Sequence, residues 1–409
     1  MTRKRYFFLI LILGSLTALS PFSIDMYLPG FPAIAKALHT TIEQVDRSLS
    51  SFFIGLAAGQ LLYGPLMDRF GRKKPLYFGL ALYIVISVGC FSATSIQMLI
   101  VLRFVQALGS CAAGVASMAM VRDIFPVKDN AKVFALLVLV LGASPMIAPT
   151  VGSYLTAAFG WQAVFIVLMS MAILILAAVI FTLPESYDND PSFSLKPLPI
   201  INNFLTVIKV PQFYTYAITT SLAFAGLFAY VADSPSVFME FFQVSGKLYG
   251  WIFAGLSIGF VGSSQLNSLL IKYYRSEQII IVALVGQVIV AVVFLFGTLN
   301  GWFGLYGTIA MIFLVLCGIG ITNPNASALS LAPFSKNGGT ASSLMGAMQL
   351  GIGALSSYSI SLFSSHSAMP MAFIMAISAV IALSVLLIGR KNIIEQIEAD
   401  PLIAAGAGH

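Results

Sequence analysis

Apolar residues run along this chain in long blocks, and the short stretches between the blocks hold nearly all of its charge. An α-helix needs about 20 apolar residues to cross the hydrocarbon core of a bilayer. Interruptions by charge, Pro and Gly predict twelve such spans: 6–36, 45–66, 76–95, 98–121, 131–157, 161–183, 212–238, 247–271, 278–299, 302–330, 338–364 and 367–389. Residues 184–211 form the one long polar, Pro-containing connection, and they divide the spans six and six. The expected fold is all-α and membrane-embedded, with twelve transmembrane helices in two six-helix bundles. The bundles would occupy residues 1–183 and 212–390, with a linker over 184–211 and a tail over 391–409.

Charge adds an orientation. With the N-terminus on the cytoplasmic side, the cytoplasmic segments hold Arg3, Lys4, Arg5, Arg69, Arg72, Lys73, Lys74, Arg122, Lys128, Lys132, Lys196, Lys209, Lys272, Arg275, Lys336, Arg390 and Lys391. The other face keeps Lys36, Arg47 and Lys247, a ratio of 17 to 3 that fixes both termini as cytoplasmic. The basic N-terminus and the run from Tyr6 to Leu19 could pass for a cleaved signal peptide. The helical run continues through Asp25 and Tyr27 without a small-x-small cleavage site, so a retained first helix is expected.

Composition narrows the class. Of 409 residues, 59% are hydrophobic and 9% charged, with mean hydropathy +0.95, too little charge to clothe a soluble surface. The net charge of +6 is spread over membrane loops, so nucleic acid is not an expected partner. Cys90, Cys111 and Cys317 are scattered through apolar runs and read as packing residues, without disulfide or metal. His39, His366 and His409 fall in loops or at the tail, and no H-E-x-x-H pattern or nucleophile constellation lies within the spans. No cofactor is expected, and neither an intramembrane enzyme nor a channel is favoured, since an unbroken polar stripe is missing.

Ionisable groups inside a bilayer are costly, so each is a functional candidate. Asp25, Arg103, Asp233 and Glu240 qualify. Asp25 and Arg103 fall in the outer half of their spans, at levels where they can pair, as a proton-coupling pair or as a static ion pair. Asp233 lies near the end of the seventh span, in a cavity or facing water, and Glu240 reads as a loop residue. Tyr27, Phe224, Phe228 and Tyr230 can line an apolar cavity as a group. Asp25 before Pro29 and Asp233 before Pro235 give a faint trace of internal duplication.

The loop after the second span reads Gly64-Pro65-Leu66-Met67-Asp68-Arg69-Phe70-Gly71-Arg72-Lys73. Gly64 would let helix backbones approach, and Gly71 would permit a tight turn. Asp68 can accept from a nearby Arg or from the N-terminus of a neighbouring helix, as a latch that biases one conformation. All defined positions match G-x-L-x-D-R-x-G-R-[RK], so the chain resembles the major facilitator superfamily. Arg103-Phe104-Val105-Gln106-Ala107-Leu108-Gly109 is similar to its R-x-x-Q-G-x-G element, and Ala148-Pro149-Thr150-Val151-Gly152-Ser153 to the G-P-x-x-G-G of drug antiporters. Together with Ser23-Ile24-Asp25-Met26-Tyr27-Leu28-Pro29, Pro324-Asn325-Ala326, Gly339-Thr340-Ala341-Ser342 and Gln349, these motifs resemble the bicyclomycin/chloramphenicol-resistance branch of drug:proton antiporters, over residues 5–390. Two positions depart: Thr17 stands where some relatives carry a second acid, and Gly160-Trp161-Gln162 where the family has G-W-R.

The resemblance implies a monomeric, proton-coupled exporter of small amphipathic compounds in a bacterial inner membrane. The alternative is a dedicated exporter of one metabolite, such as an amino acid or siderophore. Asp25 and Arg103 would couple protons. Tyr27, Phe224, Phe228, Asp233, Asn325 and Gln349 would line the substrate cavity. Gly64, Asp68, Arg69, Gly71, Arg72, Pro149 and Gly152 would serve the conformational switch.

Overall fold

The computed structural model describes residues 3–125, 127–187, 196–334, 338–363 and 367–393. Pro191, Lys336, His366 and His409 lie outside the described residues. In chain order the helices are α1 (Arg3–Asp25), the short α2 (Phe31–Ala37), α3 (Ile42–Phe70), α4 (Lys73–Phe91), α5 (Ile96–Ile124), α6 (Val127–Phe159) and α7 (Gln162–Thr182). They continue with α8 (Pro197–Ile208), α9 (Pro211–Pro235), α10 (Gly246–Leu270), α11 (Ser276–Leu299), α12 (Leu305–Leu331), α13 (Gly338–Ile360) and α14 (Met369–Gly389). Apart from α2 and α8, these helices coincide one for one with the twelve predicted spans.

Among the described residues, nine helices are long and apolar enough to cross a membrane. Helices α10 and α13 are equally long, but Ser, Gly, Asn and Gln dilute their apolar character. Three helices open at the same end of the bundle with a hydroxyl cap: Thr41, Ser95 and Ser245 accept from the backbone N–H groups of Gln44, Met98 and Leu248. Gly71, with φ +81°, makes the turn from α3 to α4 at the other end, a backbone conformation that penalises a side chain.

Two departures from the sequence reading have local causes. The first span is not one continuous helix. Tyr27 N–H turns back to Ile24 O at 3.3 Å, and a tight turn at Leu28–Gly30 carries the chain into α2, with Pro29 and Pro32 each removing a donor. The linker is not merely polar. It contains α8, which exposes Leu198, Ile201, Leu205 and Ile208.

In the first half, α5 packs on α1, α3 and α4, while α1 also packs on α6 and α7. In the second half, α9 packs on α12, α13 and α14, and α12 also packs on α10 and α11. The halves meet where α3 lies along α13 and α6 along α10, and α9 touches α3 at the same seam. The ends of the bundle are named below by the Gly71 turn, the loop end, and by the Thr41 cap, the cap end.

Candidate functional site

The break in α1 generates the site's first element. Because Tyr27 N–H bonds Ile24 O, the carbonyl of Ser23 loses its helical donor. Arg103, fully buried on α5, supplies the replacement: Nη2 donates to Ser23 O at 2.9 Å, and Nη1 donates to Gln106 Oε1 at 2.7 Å. Its guanidinium lies over the rings of Phe52 (4.1 Å) and Tyr27 (4.5 Å), and cation–π contacts of this kind contribute about 2 kcal/mol or more when desolvated. Gln106 passes the chain on through Nε2 to Ser87 Oγ at 2.8 Å.

The expected ion pair between Arg103 and Asp25 is absent among the described residues; the guanidinium goes to a backbone carbonyl and an amide. Asp25 is the last residue of α1, 5% exposed, with no hydrogen-bond or ion-pair partner among the described residues. It therefore sits at a helix end, whereas the sequence placed it inside one continuous span over 6–36. It is within electrostatic reach of Tyr230 and Tyr249 in the second half. The Tyr230 hydroxyl is buried without a hydrogen-bond partner among the described residues, and Tyr249 OH lies 2.9 Å from Ser234 Oγ.

The six cavity candidates do not form one group. Phe228 meets Phe53 across the seam, with ring centroids 4.7 Å apart, and Phe224 at 5.4 Å on its own helix. Gln349 donates to Asn323 Oδ1 at 3.0 Å, and Thr220 Oγ1 donates to the same oxygen at 2.8 Å, so α9, α12 and α13 share a polar node. Asn325 is elsewhere, donating to Asn267 Oδ1 at 2.6 Å between α12 and α10. Tyr27 is closed within the first half, 1% exposed, with its hydroxyl 2.7 Å from Ser48 Oγ.

Asp233 lies close to the backbone of Met371 and faces α3, where it is within electrostatic reach of Asp46. Asp46 is absent from the sequence candidates yet only 2% exposed, with Ser357 Oγ donating to its Oδ1 at 3.4 Å. A helical stripe, Ile42, Val45, Asp46, Leu49, Ser50 and Phe53, carries it into the interior and was a readable signal.

At the loop end, Arg72 Nη1 donates to Asp68 Oδ1 at 2.7 Å and Nε to Asp123 Oδ2 at 2.9 Å. Burial works against the charge of Arg72, but these two carboxylates outweigh it and leave its pKa raised. The first N–H groups of α4 are capped by Glu185 and not by Asp68: Arg72 N and Lys73 N donate to its two oxygens at 2.9 and 3.1 Å. Arg69 lies over Phe70. Gly64 has open space where a side chain would go, so it is not at a close helix crossing here. Gly152 is: a Cβ there would run into the backbone of Met26 at the α1 break. Pro149 O and Thr150 in turn back onto Gly250 of α10, so this stretch of α6 touches both the break and the second half.

The Major Facilitator Superfamily model matches residues 13–357. A bicyclomycin resistance protein homolog of Haemophilus influenzae is 33% identical over 93% of this chain and 95% of its own length. The multidrug resistance protein MdtL of a Shewanella strain is 28% identical over 91% of this chain and 93% of its own. A crystal structure of a D-xylose-proton symporter superposes with TM-score 0.72 at 13% identity, covering 93% of this chain and 97% of that one. Carrier motif, two six-helix bundles and polar residues converging at their seam agree with these likenesses: the chain is a multi-pass membrane transporter of the major facilitator superfamily.

Proposed function

We propose that this chain exports small amphipathic compounds in exchange for protons, by rocking its two six-helix halves about the seam. It would act as a monomer in a bacterial inner membrane, with both termini and the loop end cytoplasmic. The halves would be 1–183 and 212–390, joined by 184–211. The observation that carries the reading is Asp25: a buried carboxyl without a cationic partner, at a broken helix, within electrostatic reach of tyrosines from the other half. An acid so placed changes its surroundings whenever the halves move, which is what couples a proton to a conformational equilibrium. Arg103 acts on it through the Ser23 carbonyl two residues earlier. The relatives named for bicyclomycin and multidrug resistance support a drug-like substrate, with Phe224, Phe228 and Gln349 as cavity contacts.

The test is proton release from everted vesicles on adding phenicols, bicyclomycin or lipophilic cations. Wild type is expected to respond to several compounds. Asp25→Asn is expected to lose uphill transport while keeping energy-independent exchange of a neutral substrate. A wild type silent to the whole panel favours the dedicated metabolite exporter, and an Asp25→Asn variant with full uphill transport removes Asp25 from the mechanism.

A further inference from the structure

Helices α3 and α9 run antiparallel across the seam, and the Phe53–Phe228 contact at 4.7 Å sets their register. From that contact toward the cap end, Asp46 is seven residues away along α3 and Asp233 five along α9, about 10 Å and about 8 Å at about 1.5 Å per residue. The two carboxyl groups thus arrive at neighbouring levels from opposite halves, within electrostatic reach of each other. Ser357 of α13 donates to Asp46 and also lies 2.7 Å from Ser50 Oγ, tying the second half to α3 at this level. One oxygen on each acid, Asp46 Oδ2 and Asp233 Oδ2, is buried with no hydrogen-bond partner among the described residues. The other charged groups facing the pair are Glu43, Arg47 and Glu240, and Arg47 forms no ion pair with either acid among the described residues. A cavity of about 620 Å³ at the cap end is lined by Thr41, Glu43, Arg47, Glu240, Ser361 and Phe363; neither acid lines it, but Glu43, Arg47 and Glu240, which face the pair, do. Beyond Asp233 the chain winds into a π-helical segment, Ser236–Phe241, a form that marks adjustable points in helices.

We propose that Asp46 and Asp233 share one proton across the seam, and that this proton holds the cap end closed. It deepens the antiport reading above and rests on it for its role in transport. Two ionised carboxylates in a dry seam repel each other, whereas one added proton converts repulsion into a short O–H···O⁻ bond. The closed arrangement then binds one proton more than the open one, so closure is favoured at low pH and lost as pH rises. Water at the cap end donates the proton and takes it back. A proton arriving from the cap side shuts that side, and its loss lets the halves part and present the substrate cavity there. Arg103 and Asp25 have no part in this contact.

The experiment places spin labels at Lys36→Cys and Asn300→Cys, exposed positions on the two halves at the cap end, in a chain with Cys90, Cys111 and Cys317 replaced by Ser. Their separation is read by pulsed EPR from acid to alkaline pH. Wild type is expected to populate the shorter distance in acid and the longer one as pH rises. Asp46→Asn and Asp233→Asn should each hold the shorter distance to higher pH, moving the midpoint upward by about one pH unit or more, a tenfold change in proton concentration, because a single ionised acid has no like charge across the seam to push it open. The double variant should lose most of the pH response. A wild-type distance that ignores pH overturns the proposal even if a variant fails to fold, as does a midpoint unmoved in all three variants. If distances follow pH through these acids but substrate moves no protons, the antiport reading falls and the clamp stands. Proton-coupled transport with flat distances gives the reverse.

Discussion

Arg103 completes the hydrogen bonding of Ser23 on a different helix, donating at 2.9 Å to a carbonyl that α1 leaves open when it breaks. Removing the guanidinium strands the buried Ser23 carbonyl, at a cost of about 1–3 kcal/mol, and leaves Gln106 Oε1 with only the weak Cys90 Sγ donor at 3.9 Å. Arg103→Ala is therefore expected to lower the thermal midpoint in detergent and to abolish transport. Arg103→Lys keeps the charge but not the fork, and should recover little of either. A lysine variant with wild-type melting and transport would show that charge alone suffices, and that the carbonyl contact is incidental.

The two carboxylates on Arg72 should be unequal. The side chain of Asp68 is 43% exposed and that of Asp123 17%, and Asp123 also accepts from Ser186 Oγ at 3.1 Å. Asp68→Asn is expected to cost about 0–1 kcal/mol of stability, and Asp123→Asn about 1–3 kcal/mol. Asp68→Asn should nonetheless impair turnover more than substrate binding, because it biases a conformational equilibrium and does not touch the ligand. Melting curves and initial rates on both variants check the order; an affinity loss at constant rate would contradict it.

Gly152 is where α6 presses on the backbone of Met26. Gly152→Val places carbon where a peptide group already sits, and overpacking of this kind costs about 1–3 kcal/mol. The expected result is poor yield or a folded protein without transport. Gly64→Ala is the internal control: with open space around it, that variant should keep its thermal midpoint in the same assay.

A reporter fused after Pro191 is expected to read cytoplasmic and one at Gly301 periplasmic. The basis is the distribution of Lys and Arg, 17 to 3 between the two faces. The reverse pattern would invert the direction of transport.

Hydropathy made the twelve spans legible because bilayer thickness imposes a length on every one of them. The ion pair of Asp68 with Arg72 was legible too, being four residues apart around one turn. Partners distant in sequence were not. Glu185, the cap of α4, and Asp123, the second acid on Arg72, are contributed by segments that only folding brings to the loop. Arg103 was expected to seek a carboxylate, but a broken helix offered a carbonyl nearer at hand. Asn325 was singled out beside Pro324, while Asn323, two residues earlier and on another face of α12, is the one that joins Gln349. Asp46 was passed over although its helical stripe was readable; its partner Ser357 arrives from the other half of the chain.

Helix α10, carrying Ser257, Ser263 and Asn267, packs on α6 and α12, and α13, carrying Gln349 and Ser357, packs on α3 and α9, so each helix is enclosed by neighbours from both halves. Such helices partition weakly into lipid by themselves, whereas α7 or α11 enters readily. During synthesis, then, α10 must wait on the already inserted α6, and α13 on α3 and α9, before either is securely lodged. The surfaces that later slide past each other are the last to be threaded into the bilayer, and a ribosome-bound chain truncated after α10 but lacking α6 should leave α10 stranded in the translocon.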